Sequence, residues 1–207
     1  MGIKPSFSCH MSEEKEVFFM QLSNQKTMSM VGSVRVLRNV RVLILCAVFV
    51  AISIILGKFV SITAGPFRFS FENLSIIMSG IMFGPFAGLA VGLCADLIGC
   101  IAYGYIICPQ ITLGACCIGF FSGLSSMFLL RSNKTLNIAF SVALAHIIGS
   151  MLVKSYALHS LLHTPYKALL WRIPLYLIIG TIEFIIILAI MKNKAFSSHL
   201  DRIYSKL

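Results

Sequence analysis

Acidic residues are scarce in this chain. Seven Asp and Glu stand against 17 Lys and Arg in 207 residues, and charged residues make up only 12%. A soluble domain carries about a quarter charged residues, so a soluble globular class is excluded. The few carboxylates form no acidic metal-binding cluster and no pair at glycosidase-like spacing, and GxSxG and HExxH are both missing. Strand-like alternation of polar and apolar residues is absent too, which rules out a membrane barrel. The seven cysteines include no CxxC and fall mostly inside apolar runs, so they read as packing residues rather than a disulfide frame or metal site. No cleavable signal is expected, since the first apolar run begins only at Val42 and lacks a small-residue cleavage site. Met1-Gly2 with Ser6 fits a myristoylation pattern, which is discounted in front of a multi-span chain.

What is present is long apolar sequence: 58% of the residues are hydrophobic. The expected class is an all-α integral membrane protein with one domain. Residues 1–34 are polar and read as a poorly ordered cytoplasmic segment, 35–195 as the transmembrane domain and 196–207 as a cytoplasmic tail. The net charge of +10 does not call for nucleic acid, because the basic residues cluster at segment ends, where topology signals belong. Arg35, Arg38 and Arg41 precede a first span over 42–57, which contains Ala47 and Ala51 as a small-xxx-small face. After a loop over 58–71, Asp96 is the only charge from Leu74 to Leu130. Gly84-Pro85-Phe86-Ala87-Gly88 breaks that run as a tight hairpin. The expected spans are then 70–83, 86–103, 109–130, 136–160 and 170–191. Six spans place both basic ends on the cytoplasmic side; five would separate them. The second is short and is tolerated only if its outer end is buried in protein or lines a cavity.

On this topology Lys58, Arg68, Lys154, Lys167 and Arg172 lie toward the outer face. Lys58 and Lys167 read as solvated loop charges. Arg68, Lys154 and Arg172 abut apolar helix ends, so each needs an ion pair with Glu72, Asp96 or Glu183, or a ligand. Glu183 stands eleven residues past Arg172, about 16 Å deeper at ~1.5 Å per residue, and Asp96 lies at similar depth. Deep carboxylates beneath outer cations suit a ligand with a hydrogen-bond-donating heterocycle and an anionic tail. Phe69, Phe71, Tyr103, Tyr105, Tyr156, Trp171 and Tyr176 are the aromatics that could stack on a flat ring, although Trp171 and Tyr166 also fit an interfacial belt. His146, His159 and His163 are expected to be structural, with no acidic partner in register for a metal. Val153-Lys154-Ser155 resembles the end of a phosphate loop but lacks the preceding glycine. No metal, cofactor or nucleotide site is expected.

Arg68-Phe69-Ser70-Phe71-Glu72-Asn73-Leu74, Gly84-Pro85-Phe86-Ala87-Gly88 and Ala95-Asp96-Leu97-Ile98-Gly99 together resemble the substrate-binding S component of energy-coupling factor (ECF) vitamin transporters, folate-type branch. Pro109 to Gly114, Lys154-Ser155, Thr164-Pro165 and Arg172 to Tyr176 followed by Glu183 extend the resemblance over residues 41–191. It implies a six-helix protein of the bacterial plasma membrane that captures a vitamin from outside. It also implies partners: a transmembrane coupling protein, which Ala47 and Ala51 would dock, and two ATPase subunits that supply the energy. The substrate-binding set is Arg68, Phe69, Ser70, Glu72, Asn73, Asp96, Tyr103, Lys154, Tyr156, Arg172, Tyr176 and Glu183. Asp96 or Glu183 would bind a pterin, and Arg68, Lys154 and Arg172 the anionic tail. A different water-soluble vitamin, a queuosine-type base and a small lipid-acting membrane enzyme are the alternatives.

Overall fold

Gly84 folds the long apolar run back on itself. Its φ of 92° lies in the region open to glycine, and Pro85 follows at the first helical position, where its missing N–H costs nothing. The computed structural model describes residues 37–64, 67–128, 134–162 and 172–193, without the side chains of 62–69, 128, 134 and 161–162. The expected N-terminal segment and C-terminal tail lie outside the described residues.

The helices are α1 (Val40–Phe59), α2 (Glu72–Phe83), α3 (Pro85–Tyr103), α4 (Pro109–Phe128), α5 and α6 (Arg172–Lys192). Helix α5 is continuous through an α segment (Lys134–Ala145), a wider π segment (His146–Val153) and a second α segment (Lys154–Leu162). Five of the six are long and apolar enough to cross a membrane, and α2 is the short one. The 58–71 segment, expected as a plain loop, carries a small antiparallel hairpin of β1 (Ile62–Ala64) and β2 (Phe67–Phe69), with Thr63 opposite Arg68. These strands do not change the class: the fold is all-helical, six membrane helices with one loop hairpin.

Helix α2 survives its shortness by being enclosed. Every residue from Asn73 to Phe83 is buried, so its backbone ends meet protein rather than lipid. Phe83, Ile77 and Met82 are among the largest fully buried side chains. Around α2 the helices approach until backbone touches backbone. A Cβ at Gly88 or Gly119 would run into the other's carbonyl, and one at Gly92 into the carbonyl of Ala115. Such contacts let α3 and α4 pack by van der Waals attraction where no hydrophobic force operates between helices. Gly119→Val should therefore force the two apart, costing about 2–3 kcal/mol, and thermal unfolding of the detergent-purified protein should show a lower midpoint.

Alternation of direction then sorts the helix ends. The C-terminal ends of α1, α3 and α5 and the N-terminal ends of α2, α4 and α6 gather at one end of the bundle. Gly104, at φ 70°, caps α3 there and accepts the left-handed turn that a side chain would resist. That end carries Gly57, Glu72, Tyr103, Lys154 and Arg172.

Candidate functional site

Two clusters form at that end and meet on one turn of α5. The first joins α2 to α5. Lys154 is buried, and its Nζ lies 3.4 Å from Glu72 Oε1 and 3.4 Å from Asn73 Oδ1. Both contacts are longer than the 2.7–2.9 Å of a well-made charged hydrogen bond, so the ammonium is loosely held. Its stem passes over Gly114 of α4, where a Cβ would stand 2.6 Å from Lys154 Cγ. Gly57 makes similar room on the other side: a Cβ there would be 3.2 Å from Glu72 Oε2 and 3.3 Å from the Tyr103 hydroxyl. The start of α2 is tied to α1 by Ser53 Oγ donating to the Glu72 carbonyl at 2.8 Å. Tyr103 donates its hydroxyl to the Ile54 carbonyl and lies beneath Lys58, whose Nζ is 5.8 Å from the ring centre.

The second cluster joins α5 to α6. Arg172 donates to Ser155 Oγ at 3.1 Å and to the Tyr176 hydroxyl at 2.8 Å, with its guanidinium 5.2 Å from that ring's centre. Deeper in, His146 Nε2 and Glu183 Oε2 are 2.6 Å apart, and Glu183 has no exposed surface. His146 was expected to have no acidic partner in register. None exists on its own helix, but α6 supplies one across the interface. Glu183 thus serves the histidine and is closed to solvent, rather than pairing an outer cation.

Because Lys154 and Ser155 are neighbours, the clusters bring two cations to the same turn. Glu72 meets only the first of them, Lys154: among the described residues, Arg172 bonds only hydroxyls and Glu183 is held by His146. Arg172 is thus a cation at the end of a helix bundle with no carboxylate partner among the described residues, where it calls for an anion.

Other sequence-predicted residues fall elsewhere. Asp96 is half-buried on the α3–α4 seam and accepts a 2.6 Å hydrogen bond from Thr112 Oγ1; its described contacts do not join it to either cluster. Tyr156 is 71% exposed and points away from the site, a correction with a simple cause. Two residues apart on a helix face nearly opposite ways, so an inward Lys154 turns Tyr156 outward. Ser70 is half-buried between β2 and α2. The side chains of Arg68 and Phe69, and all of Tyr166, Lys167 and Trp171, lie outside what is described. Ala47 and Ala51 are exposed on α1, on an apolar face with Ile44, Val48 and Ile55. Of the cysteines, Cys94 is exposed rather than packed, and Cys46 is buried. Among the described residues, no group of three His, Cys, Asp or Glu could hold a metal. Sequence reasoning missed the His146–Glu183 pair, whose members lie on different helices, although Arg172, Tyr176 and Glu183 do share one face of α6 at steps of four and seven residues.

Comparison with known proteins places this geometry. The family model for the ECF-type riboflavin transporter S component matches residues 38–194, which takes in all six helices. The chain belongs to that S-component family. No curated protein sequence matches it. Among solved structures, the crystal structure of FolT bound with folic acid is similar in fold, with a TM-score of 0.58 at 20% identity, covering 73% of this chain and 92% of that one. As an S component this protein is a membrane subunit of a transporter, in agreement with the resemblance carried by the motifs from Arg68 to Glu183.

Proposed function

We propose that this S component captures a folate or reduced folate from outside the cell and delivers it through an ECF importer. The observation that carries the reading is the arrival of two cations, Lys154 and Arg172, at one turn of α5, where among the described residues only Lys154 has a carboxylate partner, Glu72. A folate brings an anionic glutamate tail to meet Arg172. Three helix N-termini at the same end (α2, α4, α6) add partial positive charge in the same sense. Asp96 and Glu72 are the acids with surface to offer a pterin's N–H donors; Glu183 is closed. Tyr103 and Tyr176 flank the clusters as ring surfaces, Ser70 and Asn73 stand at the start of α2, and Arg68 and Phe69 of β2 are assigned to the same site as candidates.

The folate-bound structural neighbour supports this ligand class. The family description favours a second reading, a riboflavin-type vitamin; a neutral ribityl chain, however, brings no anion to Arg172. On either reading the termini are cytoplasmic in a bacterial plasma membrane. A transmembrane coupling protein then docks on the Ala47–Ala51 face, and two ATPases supply the energy. Tritiated folate binding to the purified protein tests the proposal: saturable binding at micromolar ligand or below is expected, and none at that concentration rejects it. Arg68→Ala should weaken that binding by about tenfold if the arginine meets the tail.

A further inference from the structure

The deep pair is wired to the mouth of the site. His146 Nδ1 lies 3.3 Å from Ser150 Oγ, and Ser155 Oγ donates to the Ser150 carbonyl at 3.4 Å. Arg172 bonds Ser155 and Tyr176, and the Tyr176 ring sits 5.6 Å from the His146 ring, tilted 37°. The contacts close a circuit: His146, Ser150, Ser155, Arg172, Tyr176 and back to His146. In a regular α-helix, residues five apart are turned well away from each other. The π segment from His146 to Val153 widens the turn and lets Ser155 reach the carbonyl five residues back. Gly180 leaves space for the imidazole, since a Cβ there would be 3.3 Å from His146 Cδ2.

Glu183 anchors this circuit from below. Its Oε2 meets His146, while its Oε1 is buried with no hydrogen-bond partner among the described residues. A carboxyl group so enclosed tolerates little movement of its one partner, because losing it leaves a buried polar group unpaired in the membrane interior. The imidazole is thereby fixed, and its flank fixes the Tyr176 ring against which the Arg172 guanidinium lies.

The geometry points to His146 as a positioning residue: clamped by Glu183 across the π turn, it presets the Tyr176–Arg172 pair that receives the anionic part of the ligand. The inference rests on the proposed role of Arg172 and goes beyond it by assigning the residue that holds Arg172 in place. Its test uses the full-length protein in lipid nanodiscs, with folate and 6-hydroxymethylpterin, which has no carboxylate. In His146→Ala, folate affinity should fall about tenfold while hydroxymethylpterin affinity changes by less than about threefold, and His146→Gln, which can still donate to Glu183, should restore most of the preference. A parallel fall for both ligands, or no fall, overturns the inference. If the wild-type protein binds neither compound, the folate reading fails. The positioning claim is then decided without ligand, by the rate at which phenylglyoxal modifies Arg172, followed by peptide mass spectrometry. Faster modification in His146→Ala, by about threefold or more, supports it; an unchanged rate overturns it.

Discussion

Lys154→Met should lower folate affinity by about 3 kcal/mol, roughly 150-fold, since a desolvated charged contact to a ligand is worth about 2–5 kcal/mol when one partner is truncated. Titration of the nanodisc-embedded protein with tritiated folate reads the effect. The loose 3.4 Å contacts of Lys154 with Glu72 and Asn73 are the reason for expecting so much. The ammonium keeps donor capacity and charge for a ligand carboxylate, and its buried position strengthens whatever contact it makes. Arginine should not replace it, because the stem runs over Gly114 with no space to spare and a planar fork needs a different approach. An affinity change below about threefold would remove Lys154 from the site.

The second large effect separates binding from transport. Leucine at both Ala47 and Ala51 should leave folate affinity within about twofold yet cut cellular uptake by about tenfold or more, because helix association in a membrane depends on small residues that let backbones approach. Both alanines are exposed on α1, whereas Ser53 of the same helix, which bonds the Glu72 carbonyl, is buried and faces the other way. Isotope uptake by cells expressing the complete importer, set beside binding to the purified subunit, distinguishes the steps. Uptake unaffected by both substitutions would move the docking surface elsewhere.

Much of the fold was legible because the membrane imposes few solutions. Gly84-Pro85 announces its turn through two residues that each break a helix for an independent reason, and the helix bounds on either side followed from it. The enclosure of α2 was legible as well, since a helix too short to span must hide its ends in protein. The cations at the helix ends could be picked out because charge beside an apolar run is costly enough to demand a partner. The partners themselves were harder to read. Lys154 with Glu72 was among the pairings considered, but His146 with Glu183 was not, because its members lie on different helices, 37 residues apart, and no local period connects them. The π segment compounds the difficulty: it has no sequence signature, and Gly149 within it packs tightly against Ile118 and Gly114 of α4. Asp96 shows the opposite failure. A cation or a ligand is the partner its place in an apolar run predicts, yet a hydroxyl of the neighbouring helix, Thr112, donates to it.

The most direct measurement of the central claim is native mass spectrometry of the ligand that copurifies with the full-length protein. Capture at the Lys154–Arg172 convergence predicts a bound pteridine carrying at least one carboxylate, retained by the wild-type protein and lost from Lys154→Met. A neutral flavin in its place, or an anionic ligand held equally well by Lys154→Met, would contradict the account.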